Sequence, residues 1–367
     1  MTKANEIYGF LKKLAPLEFA ESYDNPGLLA GSGEQPVTKA LIALDITREL
    51  CEEAVCKGAQ LVISHHPVIF KPVYSVLKDG ETAVLWELVN RGLTAVCMHT
   101  NLDIALGGVN DTLADELHLE KAGILKVTGG SSYKKLAVFV PAAFSARVKA
   151  AMAQAGVGRL GNYDGCFFET KGTGCFRPLE GAKPFIGETG AAATVDEIKI
   201  EAVCRAEDVG AVIEAVKRAH PYEEPAYDIF DDEAPGEPRG TGMLANLNQE
   251  MPLDDFAHFV NMTLCSGGVR VCRAGRDVRR IALCCGAWDD ELTLRAKAGG
   301  ADTIVTGEIK HSSMLLALSL GMNVVAAGHF ATENVICGKL ASTLRPAFED
   351  VDFEVAQSNK SPEYFIV

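Results

Sequence analysis

What this chain lacks narrows it first. Its 11 cysteines contain no CxxC pair, so a zinc ribbon or a thioredoxin-like dithiol is excluded by spacing. No Lys/Arg run interrupts a net charge of −14, so nucleic acid is not expected as a main partner. A small anionic ligand stays compatible with that charge if a metal supplies positive charge locally. Aromatic residues make up only 7% against a hydrophobic fraction of 48% with 35 glycines, the balance of a soluble α/β protein rather than a disordered one. The most apolar stretch, "MLLALSLGMNVVAAG", is too short and too broken to span a bilayer. The N-terminal "MTKANEIYGFLKKLAP" lacks the apolar region of a signal peptide; its Ile7, Phe10, Leu11 and Leu14 share one helical face. A cytoplasmic address without a membrane partner is expected. Cysteines in apolar runs, such as Cys97 and Cys284, read as buried reduced thiols. No low-complexity segment or short repeat is present.

What is there alternates. Within residues 37–130, "KALIALD", "QLVIS" and "LTAVCM" are apolar strand runs separated by helical segments that close at Gly58 and Gly92. Residues 279–345 repeat that grammar with "RRIALCCG", "ADTIVTG" and "MNVVAAG". Continuous apolar strands between helices predict a parallel or mixed sheet covered on both faces. From about 130 to 242 the pattern changes. A strand, an alanine-rich helix, a glycine-rich stretch, the alternating "VDEIKIEAVC", a helix and "PAYDIFDD" give the β-α-β-β-α-β order of a ferredoxin-like unit. The chain therefore reads as an α/β mixed-sheet domain built from 1–129 and 243–367, interrupted by an inserted α+β ferredoxin-like domain at 130–242.

Three motifs carry the chemistry: "SHHP" with His65 and His66, "HTNLD" with His99 and Asp103, and "GHFATE" with His329 and Glu333. Each follows the carboxyl end of an apolar strand, where open α/β sheets bind ligands. Imidazoles and carboxylates suit zinc, iron, manganese or nickel. If the backbone stays extended, His65 and His66 point to opposite sides, so two divalent metal ions with one histidine each is the simpler geometry. His329 and Glu333, four apart at a helix start, share a helical face. A carboxylate can bridge two ions, and such a pair can activate a water for hydrolysis. Singly, each motif has an ordinary explanation as a surface pair or a cap; their coincidence at strand ends favours a metal site.

These residues resemble the GTP cyclohydrolase I type 2 homologues, the Nif-three-like family. The matching stretches are "YDNPGLLAGS" (23–32), "SHHPVIF" (64–70), "HTNLDIALGGVND" (99–111), "ADTIVTGEIKH" (301–311) and "GHFATE" (328–333). In the insert, "GVGRLGNYDGCFF", "GTGCFRP" and "HPYEEPAYDIF" resemble the longer bacterial members, whose insert is similar to the PII/CutA-like fold. The resemblance implies a dinuclear centre in which His66, Asp103 and Glu333 hold one ion, and His65, His329 and Glu333 the other. It also implies a toroidal homohexamer with the inserts over its openings. Two positions depart from the family pattern: Trp288 in "CCGAWDDEL", and Ser312 beside His311.

The expected activity is that of a metal-dependent hydrolase acting on a nucleotide or other small anionic molecule. His99 would act as general acid/base or as a helper of Asp103. Glu308 and His311, at the helix start in "TGEIKH", would receive an anion or cap the helix. Two other readings stay open: a non-catalytic, metal-binding regulatory oligomer, and a partner-binding scaffold with purely structural ions.

Overall fold

A computed structural model describes residues 1–130, 132–233 and 236–364. The chain divides into two compact units, Met1–Thr128 with Arg239–Val367, and Gly129–Pro238.

The first unit is mixed α/β and holds two sheets rather than one. The first sheet orders its strands as Gly27–Ala30, Thr94–Cys97, Leu61–Ser64, Lys39–Ala43 and Asp352–Val355. The last four run parallel, and Gly27–Ala30 is an antiparallel edge. The second sheet orders Arg270–Cys272, Asn323–Ala326, Thr303–Ile309, Val278–Trp288, Pro238–Met251 and Glu120–Gly130. Its three central strands, 323–326, 303–309 and 278–288, are parallel.

Side-chain alternation explains why these strands read as unbroken apolar runs. Ile42, Ile63 and Val96 of one sheet share a core with Leu283, Val305 and Val325 of the other. Helices Ala4–Leu14, Val109–Glu116, Leu253–Leu264 and Val335–Leu344 add Ile7, Leu113, Phe256 and Leu340 to that same core. The alternate residues Leu41, Val62 and Ala95 face a separate cluster closed by Leu50 and Leu88. Ala282, Ile304 and Val324 face a third, with Leu292 and Ala317. Both faces of these parallel strands are thus covered, as buried parallel strands require.

Strand register then levels the functional ends. Ala43, Ser64 and Cys97 are mutual partners at the carboxyl ends of three parallel strands. In the second sheet Cys284, Thr306 and Ala326 are level, with Ala326 ending its strand and the other two strands running on to Trp288 and Ile309.

The second unit follows the order strand Tyr133–Pro141, helix Ser145–Gln154, strands Phe168–Phe176 and Ala193–Arg205, helix Val209–Ala219, strand Tyr227–Asp232. Its antiparallel sheet places 168–176 beside 193–205, then 133–141, then 227–232. Leu136, Val138, Val140 and Ile200 pack on Val148, Met152, Val212 and Val216 of the helices. The glycine-rich stretch supplies one strand of this sheet.

Residues 239–242, which the sequence boundaries assign to the insert, belong to the strand Pro238–Met251 of the first unit. A methyl at Gly240 would lie 1.8 Å from the Lys126 carbonyl oxygen, so this glycine permits close strand approach rather than a turn.

The cysteines are all free thiols. Cys97 and Cys284 are buried as their apolar runs imply, whereas Cys56, Cys175 and Cys265 are exposed. No helix among the described residues is long and apolar enough to cross a membrane.

Candidate metal centre

The levelled strand ends deliver the motif residues to one place. His65 and His66 follow Ser64. His99 and the helix Thr100–Ile104, with Asp103, follow Cys97. The helix His329–Glu333 follows the third parallel strand of the other sheet.

The two adjacent histidines do not diverge. The strand ends at Ser64 and the backbone bends at both, so the rings lie 5.2 Å apart and converge on one carboxylate. His66 Nε2 is 2.9 Å from Glu333 Oε2, and His65 Nε2 is 4.0 Å from the same atom. His329 Nε2 is also 2.9 Å from Glu333 Oε2, as the four-residue helical spacing predicts. His65 Nε2 is 3.5 Å from Asp103 Oδ1. The distances therefore group His65 with Asp103 and Glu333, and His66 with His329 and Glu333. The resemblance implied the other pairing, with His66 beside Asp103 and His65 beside His329. His66, His329 and Glu333 form one set able to hold a metal ion, and His65, His66 and His99 form another.

The ring nitrogens on the far side are tied down. His65 Nδ1 donates to the Met98 carbonyl oxygen at 2.8 Å. A carbonyl only accepts, so Nδ1 carries the proton and Nε2 of the neutral ring is a bare lone pair. Burial pushes the His65 pKa down, in keeping with a neutral ring. That Nε2 is fully buried with no hydrogen-bond partner among the described residues, and it faces two carboxylates. A lone pair aimed at two acceptors is unfavourable by itself, and a cation between them resolves it. The residues fit a metal.

His66 Nδ1 contacts Asp45 Oδ1 at 2.7 Å, and His99 Nδ1 contacts Asp24 Oδ1 at 2.7 Å. Such partners orient an imidazole so that Nε2 is presented inward. Burial works against charge on His66, but the bonds to Asp45 and Glu333 carry its pKa up to about 10. Burial likewise opposes the Glu333 charge, and the bonds from His329 and His66 hold its carboxyl well below the usual range. The bond to Glu333 raises His329. Burial raises the pKa of Asp103.

His99 therefore sits in the cluster, but its bonded partner is Asp24 rather than Asp103. Glu308 lies in the strand Thr303–Ile309, and its Oε2 is 3.6 Å from His329 Nδ1. His311 opens the helix His311–Ser319 and is exposed, and no bond ties it to the cluster among the described residues. Ser312 is exposed beside it.

Several further residues support the cluster. Asp24 precedes the edge strand Gly27–Ala30, whose Gly27 pairs with Cys97; that register brings Asp24 beside His99. Its Oδ2 accepts from Thr100 N at 3.0 Å and Thr100 Oγ1 at 2.5 Å. Burial opposes its charge, yet His99 and Thr100 lower its pKa to about 2. Asp45 follows the levelled end of its own strand. Buried Asn110 donates to the Asp103 carbonyl and accepts from Cys285 N, and Cys285 Sγ lies 3.4 Å from Asp103 Oδ1. The signal for Asp24 was the "YDNPG" motif itself, and for Asp45 an acid closing a strand run.

Two glycines make the room. Gly286 adopts φ +59°, and a methyl there would lie 2.1 Å from Glu333 Oε1. A methyl on Gly307 would meet Gly286 O at 2.6 Å and Thr332 Oγ1 at 2.7 Å.

A family model for Duf34/NIF3 (NGG1p interacting factor 3) matches residues 2–363. The chain belongs to this family. Its relatives include proteins named GTP cyclohydrolase 1 type 2 homolog from Halalkalibacterium halodurans and Bacillus subtilis. Each is 36% identical, with 98% of either chain covered. A crystal structure of a Bacillus cereus protein related to NIF3 superposes with a TM-score of 0.91 at 34% identity, covering 100% of this chain and 99% of that one. A Staphylococcus aureus protein gives a TM-score of 0.76 at 31% identity, covering 100% and 99%.

In this member of the family a cavity of about 760 Å³ opens beside the cluster, lined by Arg270, Trp288, Gly307, Glu308, Lys310 and Tyr364 among others. Trp288 is largely buried, and its Nε1 donates to Thr293 Oγ1 at 2.8 Å, so the departure from the family pattern is a fixed wall of this cavity.

Proposed function

We propose that this chain is a hydrolase dependent on two divalent metal ions and acting on a small anionic molecule. The observation that carries the reading is the buried, unpartnered His65 Nε2 facing Asp103 and Glu333. Charge supports a second ion. Asp24, Asp45, Asp103, Glu308 and Glu333 converge here, and none pairs with Lys or Arg among the described residues. His65, Asp103 and Glu333 would hold one ion, and His66, His329 and Glu333 the other. Zinc, iron, manganese and nickel all accept this donor set. Bound ions would supply Lewis acidity and a nucleophile at neutral pH.

The chain's own residues do the rest. Asp45 and the Met98 carbonyl orient His66 and His65. Asp24 fixes the Nδ1 proton of His99, leaving its Nε2 to take or give a proton at the substrate. Arg270 and Lys310 at the neighbouring cavity supply positive charge to an anionic substrate, the role expected from the sequence for the Glu308–His311 helix start. Glu308 orients His329. The relatives' name suggests a nucleotide, and GTP heads the test panel. We read the insert as ferredoxin-like from its strand order, the assembly as a toroidal homohexamer, and the address as cytoplasmic.

The test measures metal content by mass spectrometry and turnover of GTP (as formate release), nucleoside phosphates and p-nitrophenyl phosphate. Two ions per chain and turnover of one substrate class, both lost in Glu333→Ala, are expected. Two ions without turnover would make the chain a metal-binding regulator instead. One ion or none would remove the dinuclear reading. Light scattering giving other than six times the chain mass would remove the hexamer.

A further inference from the structure

Two insert motifs, "GTGCFRP" and "HPYEEPAYDIF", play no part in the metal centre, yet both line one cavity. It measures about 650 Å³, within the range of small-molecule sites. Its floor is the sheet face turned away from the helices. Phe139 pairs with Lys199, and Gly172 and Glu197 pair on the same face. Phe176, Phe185 and Tyr222 rise around it, with ring centroids 5.7 Å apart for Phe176–Tyr222 and 6.5 Å for Phe185–Tyr222. The 177–186 segment adds Pro178 and Pro184. The space exists because Gly172 has no side chain: a methyl there would touch nothing within 4 Å.

Most of the polar lining is already committed. Tyr222 Oη donates to Glu197 Oε1 at 3.0 Å, and Lys199 pairs with Glu201 at 3.2 Å. Glu223 accepts from Lys183 N at 2.9 Å. His220 accepts from Tyr222 N at 3.1 Å through Nδ1 and donates to the Phe139 carbonyl through Nε2 at 3.0 Å, which fixes the Tyr222 wall. Lys171 pairs with Ile198, which packs toward the helices, so its side chain leaves on the other face. Two charges remain. Arg177 and Glu224 each line the cavity without a hydrogen-bond or ion-pair partner among the described residues, and they do not pair with each other.

We propose that this cavity binds a planar aromatic molecule carrying both an anionic and a cationic group, the chemistry of an aromatic amino acid. The ring stacks among Phe176, Phe185 and Tyr222, where offset and edge contacts favour a further ring. Arg177 receives the carboxylate through charge-assisted bonds, and Glu224 receives the ammonium group. The site lies wholly within the insert and does not depend on metal or hydrolysis.

Titration calorimetry of the full-length chain with L-tryptophan, indole-3-propionate and tryptamine tests this. One L-tryptophan site per chain is expected, with each analogue weaker by about 10-fold for its missing charge. Arg177→Ala and Glu224→Gln, both at exposed positions, should each weaken L-tryptophan by about 10-fold. Glu224→Gln should leave indole-3-propionate binding unchanged. Gly172→Val fits the open space, keeps cooperative melting and abolishes binding. Equal affinity for all three probes, preference for a singly charged one, or L-tryptophan binding that survives Gly172→Val would each overturn the proposal. So would no binding together with a change of oligomeric state in Arg177→Glu, since a second copy would then occupy the face.

Discussion

The metal cluster and the insert cavity are opposite kinds of site. In the cluster, side chains crowd together: four imidazoles and five carboxylates, most of them already bonded, leave one buried lone pair without a partner among the described residues and surplus negative charge. In the cavity, rings and a glycine leave volume unanswered, with one charge of each sign at its walls. The contrast shows that a site is best read from what its groups leave unsatisfied. A buried acceptor facing acceptors calls for a cation, because an unpartnered buried polar atom is costly. An aromatic-walled void calls for a ring, because packing and apolar burial stabilise whatever fills it.

Glu333→Ala should have the largest effect. Its Oε2 meets both His66 and His329 and faces His65, so both proposed ion positions lose a ligand. Metal affinity measured against a chelator should fall by more than about 100-fold, since even outer partners are worth about 10–100-fold. L-Tryptophan binding in the insert should not change. If metal survives in Glu333→Ala, the cluster is not organised around that carboxylate.

Gly286→Ala asks the same question while leaving every ligand in place. The new methyl needs φ near +59° and presses on Glu333 Oε1. Such strain costs about 1–3 kcal/mol, so the urea midpoint and metal affinity should fall together. An unchanged midpoint would show that the cluster has slack that the close glycine approaches do not suggest.

How much of this was legible follows the same division. That His65, His66, Asp103, His329 and Glu333 converge was readable because each sits just beyond an apolar run at the carboxyl end of a parallel strand. How the distances group them was not. His66 and Glu333 are 267 residues apart, and nothing local reports a backbone bend that turns two adjacent histidines the same way. Asp24, Asn110 and Cys285 were passed over because their roles arise from register between distant strands. The existence of two sheets was hidden because repeated strand–helix grammar is the same whether strands join one sheet or two. The insert's strand order was legible, but its cavity was not: which sheet face Gly172 takes depends on its pairing with Glu197, 25 residues on.

Asp24→Asn has a smaller effect and a pH signature. The native pKa of about 2 lies below the ordinary 3.8, so the charge stabilises the fold above pH 3.8 and that contribution fades as pH falls through about 2. At pH 7 the variant should lose about 1.5–3 kcal/mol, the worth of hydrogen bonds to a charged group. The gap to the parent should stay level from pH 7 to about 5 and close between about 4 and 2. A gap that widens toward acid would show that the Asp24 carboxylate is not what orients His99.

Tyr222→Phe is the mildest change and acts on the cavity alone. It keeps the ring against Phe176 and Phe185 and removes only the hydroxyl that donates to Glu197. Losing one such bond costs about 1 kcal/mol, and Glu197, with a route to solvent through the cavity mouth, limits the penalty of being left unpaired. L-Tryptophan affinity should change by less than about 3-fold, because stacking depends on the ring and the charge contacts on Arg177 and Glu224. The freed Glu197 carboxylate adds a competing partner for an ammonium group, so tryptamine should gain relative to indole-3-propionate. If Tyr222→Phe instead abolishes L-tryptophan binding, the hydroxyl is a direct contact, and the cavity works by committed polar groups as the metal cluster does.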